Sequence, residues 1–119
     1  MSTHSPHGQH AILDLYGVIA DDLMNAVMIE AALLNAAQIL NATVLQCHMH
    51  TFGEGMGITG VLLLAESHMS IHTWPEAGYC AIDIFMCGRI QLNDAIEALL
   101  HAFAPTHHQL HILQRGHSG

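Results

Sequence analysis

Every second position is apolar along much of two stretches of the chain, residues 43–52 and 79–87. Successive side chains of an extended strand point to opposite faces, so this alternation predicts two β-strands. In the first stretch, Leu45, Cys47 and Met49 alternate with Gln46, His48 and His50. The second stretch has Cys80, Ile82, Ile84 and Met86 on one face and Tyr79, Asp83, Phe85 and Cys87 on the other. Each strand therefore has one face suited to a protein core.

Apolar runs with weaker alternation predict four more strands, at residues 10–18, 59–65, 69–73 and 109–114. The run at 59–65 is almost entirely apolar, and we expect this strand to be buried on both sides. Glycine-rich and proline-containing segments separate these strands, as is typical of loops and turns.

Helical periodicity occurs in two segments. Hydrophobic residues recur every three to four positions over residues 19–41, which predicts one long amphipathic helix. A second helix is predicted over residues 93–103, with Asn93 as its N-cap. Residues 1–9 show neither pattern and are predicted to be a loose tail.

The predicted order of elements is β-α-β-β-β-β-α-β. This order predicts an α+β fold: a two-layer sandwich with a mostly antiparallel sheet and two helices on one face. A chain of 119 residues is long enough for one core, so residues 1–119 are expected to form a single domain. The other face of the sheet would be uncovered and would carry His48, His50, Phe85 and Cys87.

Composition and charge narrow the class of function. Charged residues make up 10% of the chain, against about a quarter in ordinary soluble domains, which suggests that a second subunit covers part of the surface. Arg89 and Arg115 are the only permanent cations and the formal charge is −8, which argues against nucleic-acid binding. No apolar stretch approaches the ~20 residues of a membrane span. An odd number of cysteines without metal-binding spacing suits the cytoplasm.

The most informative segment is residues 66–76, with the sequence ESHMSIHTWPE. It places Ser67, two histidines and two carboxylates within eleven residues, directly after an apolar run. The chain contains no lysine, so any imine-forming group must come from something other than lysine-bound pyridoxal phosphate. We interpret Ser67 as the precursor of a pyruvoyl group, a role that the family resemblance described next implies and with which the absence of lysine agrees.

The chain closely resembles the prokaryotic S-adenosylmethionine decarboxylases over residues 59–88, above all through the sequence LLLAESHMSIHTWPEAGYCAIDIFMCG at residues 62–88. These are small pyruvoyl enzymes of spermidine synthesis. The resemblance implies that the chain cleaves itself between Glu66 and Ser67, giving chains 1–66 and 67–119. Ser67 would become the pyruvoyl group, whose ketone could form a Schiff base with the amine of S-adenosylmethionine.

The resemblance also implies roles for individual residues. His72 would be the base that removes the Ser67 α-proton during processing, and Cys87 would return a proton to the substrate. Thr59 would assist processing. Phe52 and Glu76 match positions that bind the adenine and the ribose hydroxyls in relatives, although the loop after Phe52 is one residue longer here. No metal ligand is expected.

Strand geometry predicts that Ser67 and His72 cannot meet in one straight strand. Five residues of extended strand span roughly 16 Å, and an odd separation puts the two side chains on opposite faces. Either the chain folds back sharply near Ser67, or His72 comes from a neighbouring subunit. Relatives are dimers, and we favour a homodimer in which Ser67 and Cys87 of one protomer meet Phe52, Thr59, His72 and Glu76 of the other.

Two other functions are open on the sequence. Pyruvoyl decarboxylases of this kind can act on arginine or ornithine, and the Glu76 carboxylate would also suit a cationic amino acid. A more distant alternative is a cupin-like metal protein, because His48, His50 and Glu54 resemble part of a metal-binding motif.

Overall fold

One antiparallel sheet of six strands, covered by helices on one face, forms the frame of the protein. The computed structural model describes residues 6–116, and the strands lie in the order β2-β3-β4-β5-β1-β6. Its elements are β1 (His7–Tyr16), α1 (Ala20–Leu23), α2 (Ala26–Ile39), β2 (Val44–Thr51), β3 (Ile58–Leu64), β4 (Ser67–Trp74), a 3₁₀ turn (Pro75–Ala77), β5 (Tyr79–Cys87), α3 (Asn93–Phe103) and β6 (His107–Gly116). The predicted α+β sandwich is confirmed.

Strand β1 begins earlier than the sequence pattern predicted. Gly8 pairs with Cys87 on one side and Arg115 on the other, so the prediction of a loose tail was wrong for residues 7–9. The sequence pattern does not show this start because a polar residue, Gln9, occupies a position on the helix side of the strand. Its side chain donates a hydrogen bond to the Ile90 carbonyl. The first five residues of the predicted tail lie outside the described residues.

The single long helix predicted over residues 19–41 is wrong, because the helix is broken between α1 and α2. Asn25 has extended backbone angles and caps α2 by accepting a hydrogen bond from the Met28 N–H at 3.1 Å. In a continuous helix the Leu23 carbonyl would accept a hydrogen bond from a backbone N–H one turn later. Here it accepts a 2.7 Å hydrogen bond from the buried Thr73 hydroxyl. Tertiary contact with β4 thus replaces an intrahelical bond.

The start of α3 also differs by one residue. Asn93 is the first helical residue, and the N-cap position is occupied by Leu92, without a side-chain capping bond. The Leu92 side chain is 3% exposed and is part of the core, so burial sets this end of the helix. No helix within residues 6–116 is long and apolar enough to cross a membrane.

The two faces of the sheet have different surroundings. The face toward the helices is buried in a single cluster that includes Leu13, Leu62, Met69, Ile84 and Leu99. We call the other side of the sheet the open face. Val61 and Leu63 lie there with 42% and 45% exposure, so the prediction that residues 59–65 are buried on both sides was wrong within one protomer.

Candidate active site

The turn between β3 and β4 contains the predicted cleavage site. Leu64 pairs with Ser67, which leaves Ala65 and Glu66 as a two-residue turn. Glu66 has a φ of 65°, the left-handed conformation that costs a non-glycine residue about 1 kcal/mol or more. The Ala65 N–H donates to the Thr43 carbonyl at 2.9 Å and ties the turn to the start of β2. The Glu66–Ser67 peptide bond is thus held in a strained turn.

Cys87, the last residue of β5, contacts both residues of the predicted cleavage site. Its thiol donates a hydrogen bond to the Glu66 carbonyl, with 2.7 Å between Sγ and O. Its backbone N–H donates to the Ser67 hydroxyl at 3.2 Å, and Ser67 is 8% exposed. The Ser67 hydroxyl, the predicted nucleophile, and the Cys87 thiol therefore meet at the Glu66–Ser67 peptide. They line a cavity of about 160 Å³ with Leu40, Asn41, Ala42, Thr43, Ala65, Met86 and Ile90.

This cavity contains no histidine among its lining residues. The predicted removal of the Ser67 α-proton would need a base near neutral pKa, and the described lining of this cavity does not supply one. The first group of predicted residues, Glu66, Ser67 and Cys87, is therefore assembled without its base.

His72 and Thr59 meet elsewhere, on the open face. They are direct partners in the ladder between β3 and β4, and the Thr59 Oγ1 lies 3.0 Å from the His72 Nδ1. This hydrogen bond fixes the orientation of the imidazole ring, which is otherwise exposed. The His72 ring is thus held in one orientation on the open face, away from Ser67.

Phe52 and Glu76 lie in the same pocket as Thr59 and His72. Its volume is about 340 Å³, and its lining residues are Phe52, Met56, Gly57, Ile58, Thr59, His72, Thr73, Trp74 and Glu76. A side chain at Gly57 would collide with the Thr73 carbonyl, so glycine is required where the loop after β2 returns to the sheet. The longer loop therefore does not move Phe52 away from this group.

Sequence reasoning missed Trp74, which also lines this pocket. Its indole is 44% exposed and its ring centroid lies 6.1 Å from that of His72. The signal was available, because Trp74 is two residues after His72 in the same strand and therefore on the same face. A large aromatic residue beside a candidate base and a carboxylate is typical of a ligand-binding pocket.

The predicted residues thus form two groups within one protomer. Strand β4 runs without a break from Ser67 to Trp74, so Ser67 and His72 are roughly 16 Å apart along the strand. Ser67 is buried on the helix side, whereas His72 is exposed on the open face. The sharp turn precedes Ser67 and cannot bring His72 back to it.

The other cysteines are poor candidates for chemistry. Burial raises the pKa of the Cys80 thiol to about 12, and the nearby Asp14 carboxylate adds to this. Partial burial also raises the pKa of Cys47, helped by its hydrogen bond to Glu30. Both thiols stay protonated near neutral pH and lack nucleophilic character.

A wider groove of about 630 Å³ lies at the start of β1 and the end of β6, near the start of α3, and shares Ile90 with the cavity at Ser67. Its described lining combines four amide side chains with Arg89, His7 and three aliphatic residues, and includes none of the predicted catalytic or substrate-binding residues. The predicted site residues therefore lie in the two smaller cavities, of about 160 Å³ and 340 Å³, rather than in this groove.

The cupin alternative does not fit this fold. Cupins are double-sheet jelly rolls, whereas this chain has one sheet with helices packed on it. His50 packs edge-on against the Phe52 ring at 4.6 Å. Within residues 6–116 there is no group of three or more His, Cys, Asp or Glu side chains placed to hold a metal ion.

Comparisons with known proteins agree with one another. Residues 9–116 match the family model for S-adenosylmethionine decarboxylase. The chain is 41% identical to the S-adenosylmethionine decarboxylase proenzyme of Prochlorococcus marinus (strain MIT 9313), covering 91% of this chain and 86% of that protein. It is 39% identical to the proenzyme of the same name from Methanococcus maripaludis, covering 92% and 89%. The crystal structure of the adenosylmethionine decarboxylase from Aquifex aeolicus superposes with a TM-score of 0.85 at 34% identity, covering 94% and 92%.

Proposed function

This chain belongs to the S-adenosylmethionine decarboxylase family, and from this premise we propose that it is a self-cleaving, pyruvoyl-dependent enzyme that decarboxylates S-adenosylmethionine. The product would be the aminopropyl donor for spermidine. One observation carries the proposal: the Cys87 thiol and the Ser67 hydroxyl meet at the strained Glu66–Ser67 peptide. All three cysteines are free thiols, and we place the enzyme in the reducing cytoplasm.

Self-cleavage begins with attack of the Ser67 hydroxyl oxygen on the Glu66 carbonyl carbon. The peptide C–N bond breaks, an ester forms, and the Ser67 nitrogen becomes a free amine. A base then removes the Ser67 α-proton, and the Glu66 carboxylate leaves from the β-carbon to give dehydroalanine. Tautomerisation to the imine, addition of water and loss of ammonia leave a pyruvoyl group at residue 67.

The Cys87 thiol assists the first step in this proposal. Negative charge builds on the Glu66 carbonyl oxygen as the hydroxyl attacks, and the Cys87 S–H already donates to that oxygen. A donor placed at a developing oxyanion lowers the barrier without reorganisation during the reaction. Cys87 remains beside residue 67 after cleavage, where it could return a proton to the substrate α-carbon.

Strain at Glu66 supplies a prediction for the rate of processing. Replacing Glu66 with glycine relaxes the left-handed turn and should stabilise the precursor by about 1 kcal/mol. If cleavage releases this strain, the Glu66→Gly chain should cleave roughly fivefold more slowly than the Glu66→Gln chain, which retains the strain. Time courses after cell-free synthesis measure both rates. A Glu66→Gly chain that cleaves as fast as Glu66→Gln would show that strain does not drive the reaction.

The base comes from the second protomer of a homodimer in this proposal. The open face carries the exposed Val61 and Leu63 together with the oriented His72, and apolar surface of this kind favours association. Face-to-face packing of two sheets would bring His72 and Thr59 of one subunit toward Cys87 on the open face of the other, and so toward the Ser67 backbone beside it. A two-fold axis then produces two equivalent sites.

The fragments produced by cleavage would remain associated. Fragment 1–66 supplies β1, β2 and β3, and fragment 67–119 supplies β4, β5 and β6. Strand β1 lies between β5 and β6, and β3 pairs with β4, so the two fragments interleave in one sheet. Loss of one peptide bond leaves these ladders intact.

Substrate binding is assigned to the pocket on the open face. A pyruvoyl group supplies an electron-withdrawing ketone that makes loss of carbon dioxide from an attached amino acid possible. Phe52 and Trp74 offer aromatic surface for an adenine ring, and the Glu76 carboxylate can accept hydrogen bonds from ribose hydroxyls. The net charge of −8 attracts a cationic sulfonium substrate.

The substrate is tested by assaying carbon dioxide release from S-adenosylmethionine, arginine and ornithine side by side. We expect kcat/KM for S-adenosylmethionine to exceed that for either amino acid by at least about 100-fold, because neither one fills the aromatic pocket. A Glu76→Gln variant serves as the control for ribose binding, and its KM for S-adenosylmethionine should rise. A preference for arginine or ornithine would overturn the substrate and would leave self-cleavage standing.

A further inference from the structure

A row of stacked aromatic rings crosses the open face and ends at the substrate pocket. The ring of Tyr16 on β1 stacks on Tyr79 of β5, with 5.3 Å between centroids and 25° between planes. Tyr79 in turn stacks on Trp74 of β4, at 5.2 Å and 27°. The Trp74 ring lies at the end of this row next to His72, and it lines the 340 Å³ pocket. The pocket wall is therefore continuous with rings outside the pocket.

Tyr79 is the ring in this row that a hydrogen bond fixes. Its hydroxyl donates to the Asp14 Oδ1 at 2.6 Å, which joins β5 to β1 on the open face. Hydrogen bonds to a carboxylate are short and strong. The bond and partial burial raise the pKa of Tyr79, so the phenol keeps its proton and the bond persists near neutral pH.

Within one protomer, Trp74 is only partly covered by neighbouring side chains. It is the last residue of β4, directly before the 3₁₀ turn, and 44% of its surface is exposed. An exposed indole has several side-chain rotamers, and only some of them place the ring against the pocket. Stacking on a fixed Tyr79 ring selects the rotamer that lines the pocket.

We propose that Asp14 and Tyr79 are positioning residues that hold the Trp74 indole as a wall of the substrate pocket. The inference rests on the proposed function, because the pocket is assigned to the nucleoside half of the substrate. His72 is oriented independently by Thr59 on β3. The Asp14–Tyr79 pair thus governs substrate binding and leaves self-cleavage unaffected.

The test uses Tyr79→Phe, which keeps the ring and removes the hydrogen bond. We expect its KM for S-adenosylmethionine to rise about fivefold to tenfold while kcat stays within about twofold of the original. The rate of self-cleavage should not change. Trp74 is the only tryptophan in the chain, so acrylamide quenching of its fluorescence reports the position of the indole directly. Quenching should increase about twofold as the ring becomes freer.

Two further variants provide controls. Asp14→Asn retains an oxygen that can accept from the Tyr79 hydroxyl, and its KM and quenching should stay near the original values. Tyr16→Phe removes a hydroxyl from the neighbouring ring that makes no hydrogen bond within residues 6–116, and it should change neither quantity. If the pair served only to stabilise the sheet through the charge of Asp14, the Asp14→Asn variant would not keep the original KM and quenching.

The outcomes separate this inference from the proposed function. If Tyr79→Phe leaves both the quenching and the KM unchanged, the positioning role is overturned, whatever the substrate. If the unmodified protein neither turns over S-adenosylmethionine nor shows a fluorescence change on titration with it, the proposed substrate is wrong. In that case the quenching comparison still decides whether Tyr79 holds Trp74. A Tyr79→Phe chain that also fails to cleave would contradict the separation of binding from processing.

Discussion

A Ser67→Ala chain is expected to remain a single polypeptide and to have no decarboxylase activity. Alanine lacks the hydroxyl that attacks the Glu66 carbonyl, so neither the ester nor the pyruvoyl group can form. The structural cost should be small, since the substitution removes one hydrogen bond from the Cys87 N–H, worth about 1 kcal/mol. Denaturing gel electrophoresis and carbon dioxide release measure the two losses.

Ser70→Ala is the matched control for this variant. Ser70 lies in the same strand but on the open face, away from the Glu66 carbonyl. We expect this chain to cleave and to retain activity. Thermal unfolding of both variants shows whether either loss results from misfolding. Cleavage of the Ser67→Ala chain between residues 66 and 67 would eliminate the proposed nucleophile.

Mixing two inactive chains should restore cleavage, because each site draws on two protomers. Ser67→Ala alone lacks the nucleophile, and His72→Ala alone lacks the base, so neither should process itself. In a mixed dimer, Ser67 of the His72→Ala chain faces His72 of the Ser67→Ala chain, and one complete site forms. With equal amounts of both chains and random pairing, about half of the His72→Ala chains should be cleaved.

The experiment has an internal control in the choice of partners. Ser67 and Cys87 lie in the same protomer, so no mixed dimer of Ser67→Ala and Cys87→Ala contains both residues at one site. Co-expression of that pair should therefore fail to restore decarboxylation. Mass spectrometry distinguishes the chains by their substitutions. Absence of cleavage in the Ser67→Ala and His72→Ala mixture would overturn the shared site.

The sequence predicted the sheet well because its strands have one buried face. Every second residue from Cys80 to Met86 is apolar, and the structure buries Cys80, Ile82, Ile84 and Met86 as expected. The break before α2 could not be predicted from helical periodicity, which continues across it. It depends on the Thr73 hydroxyl bonding the Leu23 carbonyl, a contact between residues fifty positions apart.

The sequence identified the candidate site residues and the faces of Ser67 and His72, but it did not predict which side chains contact each other. The parity of Ser67 and His72 along a strand placed them on opposite faces, as the structure now shows within one protomer. The contact of Cys87 with Glu66 depends on the register between β4 and β5, which no local pattern encodes. Trp74 was overlooked because an isolated tryptophan is more often part of a core than a pocket wall.

The most direct test of self-cleavage to a pyruvoyl enzyme is the denatured intact mass of the freshly purified protein. We expect two fragments, 1–66 and 67–119, with the second lighter by one ammonia than a chain that begins with free serine. A single uncleaved mass of the full 119-residue chain, or a second fragment with an intact serine at its N-terminus, would contradict it.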